Sequence, residues 1–416
     1  MHRSIRWTLA LFVVAILVLT AITPAAWAKN DKARKPKIKI MTYNLYVGAD
    51  IFRVFNPPAC GVPQAVSDIY QIIQDNDFPA RAEAIADQIM AEEPHVVGLQ
   101  EVSLIRTQFP GNALAPDGSG IEFLGDFPTD PRFTFKLDAA TVEFDYLQLL
   151  LDALEARGLD YMPVAAASPT NADVEFPAIE FDEFCDPTSI PKDIRLTDQD
   201  VILVRGNLPV SLAFEKNFEV NAPIELPTFI PTPGGLVPAV YVTEFTRGWG
   251  AVVLTIKDQT YTVINTHLEV GDKTLPSDQG LNLVQLVQAL ELGQAQTAFP
   301  TPRLVIGDIN SSPASGFTDP RLAYFILTQS FGMADVWTIQ TKPKDDPGVT
   351  CCQSETLDNV SSELDERIDV VLTDFGTLVP EKIKAQVVGE EAEDKTPSGL
   401  WPSDHAGVEA KLSFER

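Results

Sequence analysis

The order of strands and helices is clearest in residues 261–310, which read YTVINTHLEV GDKTLPSDQG LNLVQLVQAL ELGQAQTAFP TPRLVIGDIN. The β-branched runs at 261–265 and 304–306 are typical of buried strands. Between them, residues 281–296 carry apolar side chains at three- and four-residue spacing, which predicts a helix. This strand–helix–strand order predicts an α/β fold with buried sheets.

The same alternation continues outward along the chain. It predicts further strands at residues 38–43, 96–99, 201–204, 251–256, 368–372 and 408–412, and further helices at 80–92 and 146–157. Residues 52–78, 103–140 and 223–238 are interpreted as insertions. The proline-rich insertion at 223–238 is either a loop that touches a membrane or an edge hairpin packed on its own sheet.

Composition and charge limit the classes of function. The chain has 416 residues, of which 45% are hydrophobic and 21% charged, so a disordered, collagen-like or coiled-coil protein is excluded. Its formal net charge of -27 argues against a broad basic face for nucleic acid, and no stable nucleic-acid complex is expected. A nuclease with a small, cation-assisted site remains compatible with this charge.

Residues 1–28 have the pattern of an export signal. Arg3 and Arg6 precede an apolar run at residues 9–20, and small residues at Ala26 and Ala28 suit cleavage. The run is shorter than the roughly 20 residues of a spanning helix, which disfavours a retained anchor. We therefore expect a secreted or periplasmic protein without a transmembrane segment, with one folded domain at residues 37–416. The sequence does not indicate an oligomeric state.

Export makes the four cysteines plausible disulfide partners, and four cysteines allow three connectivities. Cys351 and Cys352 are adjacent, and neighbouring Cα atoms about 3.8 Å apart lie below the usual disulfide range of about 4.4 to 6.8 Å. This geometry favours a pairing of each with Cys60 or Cys185. No C-x-x-C spacing supports a thiol metal site instead.

Polar residues that could carry chemistry stand at or just after the predicted strand ends. They are Asn44, Glu101, His267, Asp308, Asn310, Asp369, Asp404 and His405. Strand ends and the loops that leave them commonly hold ligands. The carboxylates and amides among them are oxygen ligands, which suit Mg²⁺, with Mn²⁺ or Ca²⁺ as alternatives, better than zinc. Imidazoles beside a hard cation are typical of phosphate-ester hydrolysis.

The ordered motifs of this chain resemble the endonuclease/exonuclease/phosphatase superfamily, which includes nucleases, inositol-phosphate phosphatases and secreted sphingomyelinases. The motifs are Thr42-Tyr43-Asn44, Leu99-Gln100-Glu101, Asn265-Thr266-His267-Leu268, Gly307-Asp308-Ile309-Asn310, Arg367-Ile368-Asp369 and Ser403-Asp404-His405. The resemblance implies a four-layer sandwich in one domain, with two mixed β-sheets packed face to face and helices on the outside.

The resemblance also implies a role for each motif residue. Glu101 is the main metal carboxylate, helped by Asn44, and Asp404 lies beside the metal. Asp308 orients or deprotonates the attacking water, and Asn310 binds a phosphate oxygen. His267 donates to the phosphate, while His405, oriented by Asp369, is a base or a second donor. Whether Asp308 or His405 takes the water proton stays open, and Tyr46 replaces an acid found in some nuclease members.

Arg247 precedes Gly248-Trp249-Gly250 and is either a substrate-facing cation or a solvated charge at a strand end. With these residues, the sequence predicts a secreted, divalent-metal-dependent phosphoesterase that acts on a phospholipid headgroup or a small phosphate ester. An extracellular endonuclease is the alternative enzyme, and a catalytically inactive binding module is the alternative outside enzymes. An inactive relative should have lost Glu101, Asp308 or His405, and all three are present.

Overall fold

The computed structural model describes residues 35–415 except 116, 233, 314–318 and 343–344, so the predicted export signal at 1–28 lies outside the described residues. Twenty strands are present in this part of the chain. In order, β1 to β20 are Lys37–Asn44, Val96–Gln100, Leu104–Gln108, Ile121–Phe123, Arg132–Phe135, Thr141–Asp145, Tyr161–Pro163, Thr170–Ala178, Lys192–Gln199, Val201–Arg205, Val210–Asn217, Ala222–Thr232, Gly235–Phe245, Gly248–Ile256, Gln259–His267, Arg303–Asp308, Ala334–Asp335, Asp369–Asp374, Pro380–Val388 and Gly407–Phe414.

Four long helices accompany these strands: α1 Val62–Asp75, α2 Phe78–Glu92, α3 Tyr146–Ala156 and α4 Gly280–Gln296. Three of them, α2 to α4, coincide with the helices that the spacing of apolar residues predicts. Proline at the start of α1 and α2 suits the first turn, where a backbone N–H has no helical partner. Among the described residues, no helix is long and apolar enough to cross a membrane.

Two six-stranded mixed sheets form the centre of the fold. The first has the strand order β19-β20-β1-β2-β10-β7, and the second has the order β11-β14-β15-β16-β18-β17. In each sheet one central pair is parallel, β1 with β2 and β15 with β16. The remaining neighbours in both sheets run antiparallel.

The two sheets pack face to face, with helices on their outer faces. Ile40 and Ile202 of the first sheet share one buried cluster with Val263 and Ile306 of the second. Helices α2 and α3 cover the outer face of the first sheet, and α4 covers the second. Burial of these apolar faces drives the assembly. The predicted α/β fold with two mixed sheets and outer helices is therefore confirmed.

The predicted insertions contribute strands to two further sheets, which also contain β6, β8 and β9 from outside the insertions. These four-stranded sheets have the orders β12-β13-β5-β4 and β6-β3-β9-β8. The proline-rich stretch is a hairpin, in which Ile224 and Ile230 are buried while Phe229 is 60% exposed. Helix α1 lies in the 52–78 insertion. Strands β4 and β5 carry too few residues for a periodic pattern, which is why the sequence did not predict these two strands.

The cysteines pair differently from the expectation. Cys60 and Cys185 form one disulfide, with Cα atoms 5.3 Å apart, and Cys351 and Cys352 form the other. The prediction that Cys351 and Cys352 would each bond to a distant cysteine is wrong. Cys351 forms an isolated backbone bridge with His405, and the loops that carry Cys60 and Cys185 meet elsewhere. Tertiary packing sets this connectivity, and spacing along the chain does not report it.

Candidate active site

The first sheet contributes Asn44 and Glu101. Strands β1 and β2 are parallel and in register, so Asn44 lies opposite Gln100, the last residue of β2. Glu101 follows in a left-handed conformation with φ 54°. Its Oε1 accepts a hydrogen bond from Asn44 Nδ2 at 3.0 Å, and its Oε2 accepts one from the Val47 N–H at 2.8 Å. The Glu101 carboxylate is thus held at the end of the sheet.

The second sheet places three predicted residues in one row. His267 ends β15, Asp308 ends β16 and Asp369 begins β18, and the register pairs Asp308 with both of the others. Asp308 Oδ2 also accepts from Asn44 Nδ2 at 3.2 Å, which joins the two sheets at this point. Side chains far apart in sequence therefore converge because adjacent strands end together.

His405 reaches this row from the loop before β20. Its Nδ1 lies 2.8 Å from Asp369 Oδ2, and its Nε2 lies 3.9 Å from Asp308 Oδ2. Burial alone would lower the pKa of His405, but the negative charges of Asp369 and Asp404 raise it well above the ordinary value. The two carboxylates therefore favour the imidazolium form of His405.

His267 has the opposite environment. Arg247 Nη1 lies 3.0 Å from His267 Nδ1, and a guanidinium can only donate, so Nδ1 is unprotonated and Nε2 carries the hydrogen. Burial, followed by the positive charge of Arg247, holds the pKa of His267 well below its usual range. The Arg247 side chain is only 12% exposed and lines the cavity, which argues against its interpretation as a solvated strand-end charge.

The remaining predicted residues complete the same site. Asn310 has φ 51° and donates its backbone N–H to Asp308 Oδ1 at 2.8 Å, while its Nδ2 donates to the Leu268 carbonyl. Burial raises the pKa of both Asp308 and Asp404 to about 7, and nearby carboxylates add to the effect. All nine residues predicted from the sequence, Arg247 included, thus lie in one region.

Glu101 and Asp404 both line a cavity of about 370 Å³. The negative charge of Glu101 contributes to the raised pKa of Asp404, and Asp369 Oδ1 is buried with no hydrogen-bond partner among the described residues. Crowded carboxylates of this kind suit a hard divalent cation.

Asn44 presents its amide nitrogen to the carboxylates and its oxygen to the Tyr46 N–H, so in this arrangement it orients Glu101 and Asp308.

Several residues of the site were not predicted from the sequence. Arg81 of α2 is fully buried and donates to the carbonyls of Leu45, Tyr46, Asn76 and Pro402, which fixes the loops that carry the site. An arginine on the apolar face of a predicted helix is a signal that could have identified it. Asn171 of β8 and Asp198 of β9 also line the cavity, and both strands lie outside the predicted strands and insertions.

The model of the Endonuclease/Exonuclease/phosphatase family matches residues 41–405. Similar solved structures include SmcL (12% identity, 91% of this chain and 99% of that chain, TM-score 0.46) and truncated TDP2 from Caenorhabditis elegans (12%, 91% and 97%, 0.45). An endonuclease/exonuclease/phosphatase from Beutenbergia cavernae is 18% identical over 92% of this chain and 72% of that chain, with a TM-score of 0.44. No curated protein sequence matches this chain.

Proposed function

Because this chain belongs to the endonuclease/exonuclease/phosphatase family, we propose that it is a secreted phosphodiesterase that hydrolyses phospholipid headgroups or small phosphate esters. Members of the family are metal-dependent phosphoric ester hydrolases, and this chain is one of them. The ion we propose is Mg²⁺, with Mn²⁺ or Ca²⁺ as substitutes. Export, to the periplasm or the medium, is inferred from residues 1–28.

The side chains that line the cavity are the basis for the proposed substrate class. Beside Glu101 and Asp404, the wall contains the apolar side chains of Ile51, Phe52, Ala172, Leu196, Phe245 and Val270. Three of these, Ile51, Leu196 and Phe245, also border an apolar recess of about 70 Å³ against α1. An ester with an apolar substituent would bury it here and gain about 25 cal/mol per Å² of apolar surface.

Charge around the cavity supports the same substrate class. Arg247 is the one lysine or arginine among the described residues that line it, whereas Asp50, Glu101, Asp198, Glu355 and Asp404 are acidic. Binding of an extended nucleic acid relies on several Lys or Arg contacts to phosphates. A substrate with one or two phosphoryl charges requires only local neutralisation by the bound cation, Arg247 and the donors at the strand ends.

Glu101 and Asp404 would hold the cation, which supplies charge neutralisation at the phosphoryl oxygens when bound. Asp308 is suited to accept the proton of the attacking water, because its pKa of about 7 leaves it ionised in slightly alkaline solution. His405, as an imidazolium, is suited to donate rather than to accept. His267, neutral with hydrogen on Nε2, is suited to donate a hydrogen bond to a phosphoryl oxygen without taking part in proton transfer.

Hydrolysis of bis-p-nitrophenyl phosphate tests the metal-dependent chemistry. We expect turnover in Mg²⁺, its loss in excess EDTA, and a fall of about 10²-fold or more in Glu101→Gln. Glu122→Gln is a matched control, since Glu122 is an exposed glutamate on the distant strand β4. Full activity in EDTA, or in Glu101→Gln, would contradict the proposal.

A further inference from the structure

Three buried side chains, two in the wall of the cavity and one beside it, present oxygens that accept no hydrogen bond. Asn171 of β8, Asp198 of β9 and Asp200 between β9 and β10 are 1%, 5% and 0% exposed. Within the part of the chain that the structure describes, nothing donates to Asn171 Oδ1, Asp198 Oδ1 or either Asp200 carboxylate oxygen. Buried acceptors without partners are costly, so four of them together indicate a missing ligand.

These three side chains form one group. Asn171 Nδ2 donates to Asp198 Oδ2 at 3.4 Å, and the repulsion between Asp198 and Asp200 contributes to the raised pKa of Asp200. Asn171 and Asp198 also line the cavity, which gives a ligand a route of entry. Asp200 lies behind them and is closed to solvent.

The buried charges around this group do not balance. Arg247 is the nearest cation, but its Nη1 is occupied by His267 and its Nη2 lies 3.7 Å from Glu269 Oε1. In their ionised forms, the carboxylates of Asp198, Asp200 and Glu269 would carry three negative charges against the one positive charge of Arg247. Two negative charges would then remain in a buried region, where an uncompensated charge is strongly unfavourable, and burial accordingly raises the pKa of Asp198 and Asp200.

We propose that Asn171, Asp198 and Asp200 form a second divalent-cation site, made of residues different from those at Glu101 and Asp404. One divalent ion balances the two excess charges and occupies the unpartnered oxygens. The ligand set is two carboxylates and an amide, all oxygen donors, which selects a hard cation. Ca²⁺ accepts irregular oxygen geometry more readily than Mg²⁺, so Ca²⁺ is the preferred ion.

Occupation of this site has a consequence for the candidate active site. The charges of Asp198 and Asp200 both raise the pKa of Arg247, whose guanidinium contacts His267. An ion that balances these two carboxylates would weaken their attraction for Arg247 and leave its contact with His267 in place. The alternative way to remove the charges is protonation, since burial raises the pKa of Asp198 to about 7. Protonation requires no cation, so a direct measurement of Ca²⁺ binding distinguishes it from occupation of the site by an ion.

Isothermal titration of Ca²⁺ into EDTA-stripped, full-length protein tests the proposal. The experiment uses a Glu101→Gln/Asp404→Asn background, so that the site at Glu101 does not contribute. We expect one Ca²⁺ per chain with a dissociation constant below about 1 mM. Adding Asp198→Asn should abolish this binding. Asp173→Asn is the matched control and should leave Ca²⁺ binding unchanged. Asp173 lies on β8, the strand that carries Asn171, and its carboxylate is bonded to Arg195.

Asn171→Ala provides a second variant that removes one ligand without altering a buried charge. We expect it to weaken Ca²⁺ binding by at least tenfold, and circular dichroism verifies that each variant is folded. Absence of Ca²⁺ binding in the Glu101→Gln/Asp404→Asn background would overturn the proposal. Binding that survives both Asp198→Asn and Asn171→Ala would overturn it equally. Neither result bears on hydrolysis, which the ester assay measures independently.

Discussion

Arg247 Nη1 donates to His267 Nδ1 across 3.0 Å and holds that imidazole neutral. His405, at the other end of the same row, has its Nδ1 on Asp369 Oδ2 at 2.8 Å and is held charged. The partner of His267 is a cation and the partner of His405 is an anion, so the two histidines favour different protonation states. His267 can serve as a fixed hydrogen-bond donor, and His405 as a source of a proton or of positive charge.

Arg247→Met should release His267 from this restraint. We expect kcat to fall roughly 10- to 100-fold, as for other losses of a group that orients a catalytic histidine. The pKa of His267 should rise, because burial, the charge of Arg247 and the charge of His405 all lower it, and the variant removes the charge of Arg247. NMR titration of the histidine ring protons measures this shift.

Arg205→Met is the control for Arg247→Met, since Arg205 pairs with Glu93 away from the cavity. It should preserve both kcat and the His267 titration. An Arg247→Met variant with a normal kcat and an unshifted pKa of His267 would show that Arg247 does not restrain His267.

Asp369→Asn should lower the pKa of His405, because the carboxylate of Asp369 raises it in the native protein. If protonated His405 is required, activity declines as pH rises through the pKa of His405. In the variant this decline should therefore move to lower pH, with kcat reduced roughly 10- to 100-fold. The pH profile of kcat measures the movement.

Asp374→Asn serves as the comparison for Asp369→Asn. Asp374 ends the same strand, β18, and pairs with Arg303 far from the row of Asp308. Its pH profile should match the wild type. An identical profile in Asp369→Asn would show that His405 does not act in the charged form.

Arg81→Met should destabilise the fold and the site together. Arg81 is fully buried, and its loss leaves the carbonyls of Leu45, Tyr46, Asn76 and Pro402 without this donor. We expect the free energy of unfolding to fall by about 3 kcal/mol or more, measured by urea denaturation. Arg132→Met removes an exposed arginine paired with Asp130 and should have little effect. Equal midpoints for the two variants would contradict this role of Arg81.

The sequence predicted the strand-end residues because their strands are apolar and β-branched. His267, Asp308 and Asp369 could each be placed at or near the end of a buried run, and neighbouring strands then bring them into one row. The family resemblance supplied their expected roles. It did not supply the protonation states of the histidines, since these depend on contacts with Arg247 and Asp369.

Contacts between distant segments account for what the sequence did not predict. Arg247 meets His267 across strands β14 and β15, and Asn171 meets Asp198 across β8 and β9. No periodic pattern marks such pairs, because each depends on strand register. The pairing of Cys60 with Cys185 likewise depends on contacts between distant segments, whereas β4 and β5 were missed because they are too short to show a periodic pattern.

One comparison of substrates distinguishes the proposed metal-dependent phosphodiesterase, which is selective for lipids or small esters, from a nuclease. Sphingomyelin vesicles, phosphatidylinositol phosphates and supercoiled plasmid are incubated with equal enzyme in Mg²⁺ at physiological salt, each with an EDTA control. The apolar cavity wall and the net charge of -27 predict that phospholipid hydrolysis exceeds plasmid cleavage, and that EDTA stops it. Rapid degradation of plasmid with all phospholipids untouched would contradict the claim and favour an extracellular nuclease.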